Sequence, residues 1–247
     1  MTISKSEYTK TLFLCFFGYL ILSDYAPVMR TIFSLPTEGE YFIMEPMNTK
    51  TACTLMGLAA LCQPSWGEEN VKQLPPPVVT GGMPLMEAIN ARESGRLYDK
   101  NRAVDDQTLS EILWVAWGKN VHGKRTIATA RNQQNMALYL LTPEGTWLYN
   151  AEKNTLEKVN GKNLIPLCDT QPFVKDAPVH LIYVAKDDKW GRCHVGSAYQ
   201  NVYLYATAKG LATVIRGLID DAALTKEIAP PDGARVIAHQ TIGWPEK

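Results

Sequence analysis

The stretch GSAYQNVYLYATAKG, residues 196–210, most constrains what this chain can fold into. Small and apolar side chains fall on most of its faces. It ends at Gly210, a residue suited to the left-handed position after a helix. A helix apolar almost all round needs cover on several sides, so it is expected at the centre of a layered domain.

The neighbouring segments supply that cover. In DDQTLSEILWVAWGKN (105–120), Leu109, Ile112, Leu113, Ala116 and Trp117 recur at helical spacing, with Asp105 or Asp106 as N-cap and Gly118 near the end. MALYLLT (136–142) and TWLYN (146–150) flank Pro143-Glu144-Gly145, which signals a hairpin. VHLIYVA (179–185) reads as a buried strand, LATVIRG as a short strand running into a loop, DDAALTKEI as a capped helix and ARVIAHQTIGWP (234–245) as the last strand. With the short helix PLMEAINA before them, these elements form one α+β domain from Met83 onward.

The first third reads differently. Residues 11–22, TLFLCFFGYLIL, are too short an apolar run for a comfortable membrane span. A second unit begins at Met47: Lys50, the apolar TACTLMGLAALC, then Ser65 and Gly67 at the spacing of a secretory cleavage site. On that reading 1–46 is an upstream leader or upstream translation and 47–67 a signal peptide. Residues 68–82 are then a Pro-rich linker and 83–247 the mature domain, exported to the periplasm. The alternative makes both runs helices of a folded, cytoplasmic protein. Leu61 stands where a lipobox needs a small residue, which argues against lipidation of Cys62. Cys168 and Cys193 then remain for one disulfide or two buried thiols.

Several chemistries lack their signatures. The formal net charge is zero, so no basic excess points to nucleic acid. GxGxxG after a strand, GxxxxGK[ST], GxSxG, HExxH and zinc-type Cys/His spacing are all missing from the sequence. His122, His180, His194 and His239 are scattered, and His180 and His239 fall in strands, where a structural role is expected.

What remains is a group of short polar motifs. Arg92, Ser94 and Arg96 follow the first helix, two forked cations flanking a hydroxyl, with Gly95 allowing close backbone approach or positive φ. Taken alone, the pair could cap a helix C-terminus. The second motif is Ala128-Thr129-Ala130-Arg131-Asn132-Gln133-Gln134. The third is Arg216-Gly217 after the strand that follows the central helix, which alone reads as a turn before the Asp220 N-cap.

In order and placement these motifs resemble the nitroreductase family of FMN-dependent oxidoreductases, over about residues 82–245. The likeness is greatest to the branch that includes peptide azoline dehydrogenases. The resemblance implies a mixed or antiparallel sheet flanked by helices, a homodimer, and FMN as cofactor with NAD(P)H as a candidate donor. Arg92, Ser94 and Arg96 would hold the phosphate and ribityl end. Thr129, Asn132 and Gln134 would reach the flavin of a partner subunit, and Gln171 would offer an amide to the ribityl chain or ring. At Arg216 and Gly217 a backbone N–H would face the ring, the Arg216 cation favouring its negatively charged reduced form.

Ala128 and Thr129 replace the family's proline and serine, Met136 replaces an aromatic, and Glu93 sits beside the expected phosphate. The chain ends at GWPEK, where only Lys247 could stand for the family's C-terminal basic pair. The implied activity is a ping-pong transfer of electrons from a donor to a small organic acceptor such as a nitroaromatic or quinone, with no side chain as obligate acid, base or nucleophile and no metal. Nicotinamide is scarce outside the cytoplasm, so an exported protein would need another reductant. Two alternatives follow: oxidation of a peptide-derived azoline ring, and an exported flavin-binding protein without catalysis.

Overall fold

Seven antiparallel strands, four α-helices and three 3-10 turns are built in the computed structural model, which describes residues 70–231 and 233–246. The chain runs β1 (Val71–Gln73), α1 (Leu85–Ala91), α2 (Asp106–Trp117), β2 (Met136–Thr142), β3 (Gly145–Asn150), β4 (Thr155–Asn160), β5 (Val179–Ala185), α3 (Lys189–Lys209), β6 (Ala212–Arg216), α4 (Asp221–Ile228) and β7 (Arg235–Gly243). The strand order is β1-β4-β3-β2-β5-β7-β6.

β5 lies mid-sheet, and every one of its residues is buried. Alternate side chains of a strand point to opposite faces, so a continuous apolar run needs cover on both. Leu181, Tyr183 and Ala185 join α2 and α3 on one face; Ile182 and Val184 join Leu164, Cys168, Val174 and α4 on the other. β2 divides in the same way, Leu138 and Leu140 against Tyr139 and Leu141.

The α2 cap is Asp105, whose carboxylate accepts from the Thr108 N–H at 2.7 Å. The central helix is longer than 196–210 suggests. It starts at an Asp188 cap, which accepts from the Gly191 N–H at 2.7 Å. Its buried line is Gly191, Val195, Ala198, Val202 and Ala206, while Ser197 and Gln200 are exposed. The helix is therefore covered along one broad face and open along another, a correction to the all-round burial expected. Gly210 closes it at φ 74°, donating its N–H to Ala206 and Thr207 carbonyls.

Two strands are additions to the sequence reading. β4 extends the hairpin to a meander, and β1 pairs with it through Lys72 and Leu156. β1 falls within the expected 68–82 linker, so part of that segment is sheet. Leu74 is 1% exposed, and the Pro75 and Pro76 carbonyls accept from Ser110 and Gln107 of α2. The leader and signal readings for 1–67 lie outside the described residues, as does Lys247. Cys168 and Cys193 are both free thiols, the first buried and the second exposed, so neither the disulfide nor the pair of buried thiols is formed. Leu74→Ala should lower the unfolding free energy by about 2–4 kcal/mol in a urea titration, whereas a passive linker would leave it unchanged.

Candidate functional site

The first motif leaves α1 in extended conformation, Arg92 at φ −58° and ψ 124°. It is held to the central helix by one phenol. Tyr203 of α3 has its hydroxyl 3.0 Å from Ser94 Oγ and accepts the Ile215 N–H of β6 at 3.0 Å. The Arg92 guanidinium lies 5.2 Å from the centre of the Tyr203 ring, favourable for a cation. Gly95 donates its N–H to the Thr213 carbonyl at 3.0 Å; a Cβ there would stand 2.7 Å from Ala212 Cβ. Glycine is used here for close approach rather than for positive φ.

Arg96 borders a pocket of about 130 Å³ with Tyr98, Phe173, Asp176 and Glu246. The ion pairs among the described residues lie elsewhere, so neither Arg92 nor Arg96 has a carboxylate partner among them. Their charge is available to an anion, and Arg92 is also the C-cap residue of α1.

Arg216 is arranged otherwise. It is 5% exposed and turned inward. Nε donates to Gln171 Oε1 at 2.9 Å. Nη1 donates to the Cys168 carbonyl at 2.9 Å and to His239 Nδ1 at 3.1 Å. Nη2 donates to Thr170 Oγ1 at 2.6 Å and to the Leu218 carbonyl at 3.1 Å. These account for all five guanidinium N–H groups. The Arg216 guanidinium is thus satisfied within the protein and takes the Gln171 carbonyl oxygen as one partner, while the Gln171 amide nitrogen and the backbone N–H after Arg216 stand outside this network. Burial pulls the Arg216 pKa down, yet arginine stays charged.

That charge orders the histidines. His239 Nδ1 can only accept from arginine, so its proton is on Nε2, which faces His180 Nδ1 at 3.2 Å. Burial lowers the His180 pKa to about 4, and burial with the neighbouring His180 and Arg216 holds His239 well below the imidazole range. Both are structural, as expected.

The backbone beyond Arg216 is what faces out. The Gly217 carbonyl accepts from the Ile219 N–H at 3.1 Å, so a planar trans peptide turns the Leu218 N–H the opposite way. Gly217 and Leu218 are both exposed.

The second motif stands apart. Its loop is tied to His194 near the start of α3, nine residues from Tyr203 and so about 13 Å away along the axis. Within it Gln134 accepts from Arg125 at 3.0 Å and donates to Asn132 at 3.1 Å, while Thr129 Oγ1 accepts from the Gln134 N–H at 3.4 Å. Arg92, Ser94, Arg96, Arg216, Gly217 and Gln171 gather around β6; Thr129, Asn132 and Gln134 do not join them within one chain. Tyr98 and Trp117 are buried core residues, and burial raises the Tyr98 hydroxyl to about 12. Tyr203 and His194 were not singled out from sequence, because nothing separates Tyr203 from Tyr199 and Tyr205 there.

Arg216→Met should cost on the order of 3 kcal/mol, because it strips donors from buried carbonyls; urea unfolding checks this. The histidine pair makes the fold acid-sensitive. Folded-state pKa values below the free value mean that the unfolded chain binds protons first, so stability is full above about 6.5 and falls as the pH drops toward 4. His180 alone accounts for roughly 3 kcal/mol of that loss. Thermal melts from pH 8 to pH 4 measure it, and a His180→Phe variant should show a shallower decline.

The model of the family described as "Nitroreductase family" matches residues 89–244. A nitroreductase-named protein of Methanocaldococcus jannaschii is 29% identical over 135 residues, 46% of this chain and 68% of that one. Among solved structures, a nitroreductase-like protein of Ralstonia eutropha JMP134 superposes with a TM-score of 0.67 at 30% identity, covering 75% of this chain and 94% of its own. One from Anabaena variabilis ATCC 29413 shares the fold at a TM-score of 0.54 and 18% identity, covering 66% of this chain and 38% of its own. Family match, antiparallel sheet and motif placement agree, and the chain belongs to the nitroreductase family of oxidoreductases.

Proposed function

We propose that the chain is an FMN-dependent oxidoreductase that passes electrons from a reduced donor to a small organic acceptor in two half-reactions at one open face. The observation that carries this reading is the pair of guanidiniums, Arg92 and Arg96, without carboxylate partners among the described residues, held by Tyr203 and Gly95 against β6. Arginine forks suit a phosphate dianion, and Ser94 lies between them. Four residues of strand separate Thr213 from Gly217, about 13 Å, which leaves room between the anion end and the exposed N–H groups of Gly217 and Leu218 for an extended ligand with a polar ring.

When bound, FMN supplies the hydride chemistry, as redox cofactors do. The protein's part is binding and orientation. Arg92, Ser94 and Arg96 hold the anionic end. The turn after β6 offers fixed backbone donors to the ring. Arg216 acts on that turn from beneath, by pulling the Leu218 carbonyl inward. No titrating side chain is assigned to the reacting atoms. Asn132 and Gln134 serve a second subunit's site in a homodimer. NAD(P)H suits a cytoplasmic protein; export through the 47–67 signal calls for a different reductant.

The purified full chain should show flavin absorbance bands, and acid or heat should release FMN. Arg92→Ala/Arg96→Ala should keep its circular dichroism and lose at least tenfold in FMN affinity, the worth of about 1.4 kcal/mol of charge-assisted hydrogen bonding. A colourless protein that takes up no added FMN rejects the reading; unchanged flavin occupancy in the double variant rejects the site.

A further inference from the structure

The loop before β2 is strained and lacks the burial that would normally hold it. Arg131, Asn132 and Gln134 have φ of 52°, 54° and 48°. A side chain in the left-handed region costs roughly 1–2 kcal/mol per residue, less for asparagine. Arg131, Asn132 and Gln133 are exposed, so packing does not repay that cost.

One imidazole pins both ends of this loop. His194, 2% exposed in the second turn of α3, accepts the Ala130 N–H on Nε2 at 2.8 Å, and its Nδ1 lies 2.9 Å from Asn135 Oδ1. A backbone N–H can only donate, so Nε2 is bare and Nδ1 carries the proton that goes to Asn135. Between those anchors, Asn132 and Gln133 donate their N–H groups to the Thr129 and Ala130 carbonyls. Arg125 reaches the loop through Gln134.

We propose that His194 is the positioning residue of the 130–135 loop: its neutral imidazole, bridging Ala130 and Asn135, keeps the strained backbone in the form that exposes Asn132, and protonation of the ring releases it. The link to a cofactor rests on the flavin reading above, but the bridge itself does not. Protonated Nε2 is a donor facing the Ala130 N–H, so the bond becomes a repulsion. The surroundings favour the neutral ring. Burial lowers its pKa, and Asp188, on the same helix, is the carboxylate that opposes this. Residues 126–142, which form the loop and β2, contain no Asp or Glu, and Arg131 is their sole charged residue. From α2, Glu111 is engaged with Lys209 and Tyr205 at the far end of α3.

The test is hydrogen exchange of the 128–136 peptide in the full chain without added flavin, corrected for intrinsic rates across pH 8 to 5, beside tryptic cleavage after Arg131 at pH 8. The wild type should be protected at pH 8 and lose protection on acidification. His194→Ala should be unprotected throughout and cleaved at least tenfold faster. His194→Gln, whose carbonyl can accept the Ala130 N–H at any pH, should stay protected at both ends of the range. Wild-type protection that does not change with pH overturns the proposal, as does a pH profile in His194→Gln like that of the wild type; both hold even if His194→Ala fails to fold. FMN uptake, read in parallel, separates the two ideas: a pH-dependent loop in a protein that takes up no FMN rejects the flavin reading and leaves His194 in its role.

Discussion

A guanidinium buried without a carboxylate partner among the described residues organises the turn that follows β6. Arg216 reaches Cys168, Thr170 and Gln171 before β5, Leu218 after β6 and His239 in β7. A cation taken from water needs its hydrogen bonds replaced in full, and here neutral oxygens and one imidazole replace them. That requirement ties two loops to each other, since the Thr170 hydroxyl also donates to the Leu218 carbonyl at 2.5 Å and the Asp220 N–H to the Leu167 carbonyl at 3.1 Å. The turn after β6 is thus shaped from inside the protein, through the Leu218 carbonyl that both Arg216 and Thr170 hold.

α3 carries the two halves of the candidate site at different heights. Tyr203 serves the first motif and His194 the second. A rigid helix between them fixes their separation, so a ligand that touches both motifs from one chain would have to span that length.

Where the sequence was legible, period and punctuation agreed. Asp105 preceded a clean helical repeat, Gly145 closed a hairpin turn, and VHLIYVA read as a buried strand. It was not legible where charge masked the period. TLEKVN pairs through its backbone while its charged side chains stay partly exposed. The first two turns of α3, KWGRCHV, bury little beyond Gly191, His194 and Val195. The motifs were legible as residue types in order, but their orientation was not. Arg216 points inward because partners 45 to 48 residues away in sequence accept its protons, and His194 matters because of a loop 64 residues earlier. Neither distance leaves a trace in local periodicity.

The close approach of Gly95 to Ala212 sets how near the first motif can sit to the sheet. The loop bearing Arg92 and Arg96 lies as near β6 as two backbones allow, with one missing methyl at 95 and one small methyl at 212. The two positions therefore behave as a single allotment of volume. Enlarging either would press the first motif away from the sheet and move both guanidiniums together.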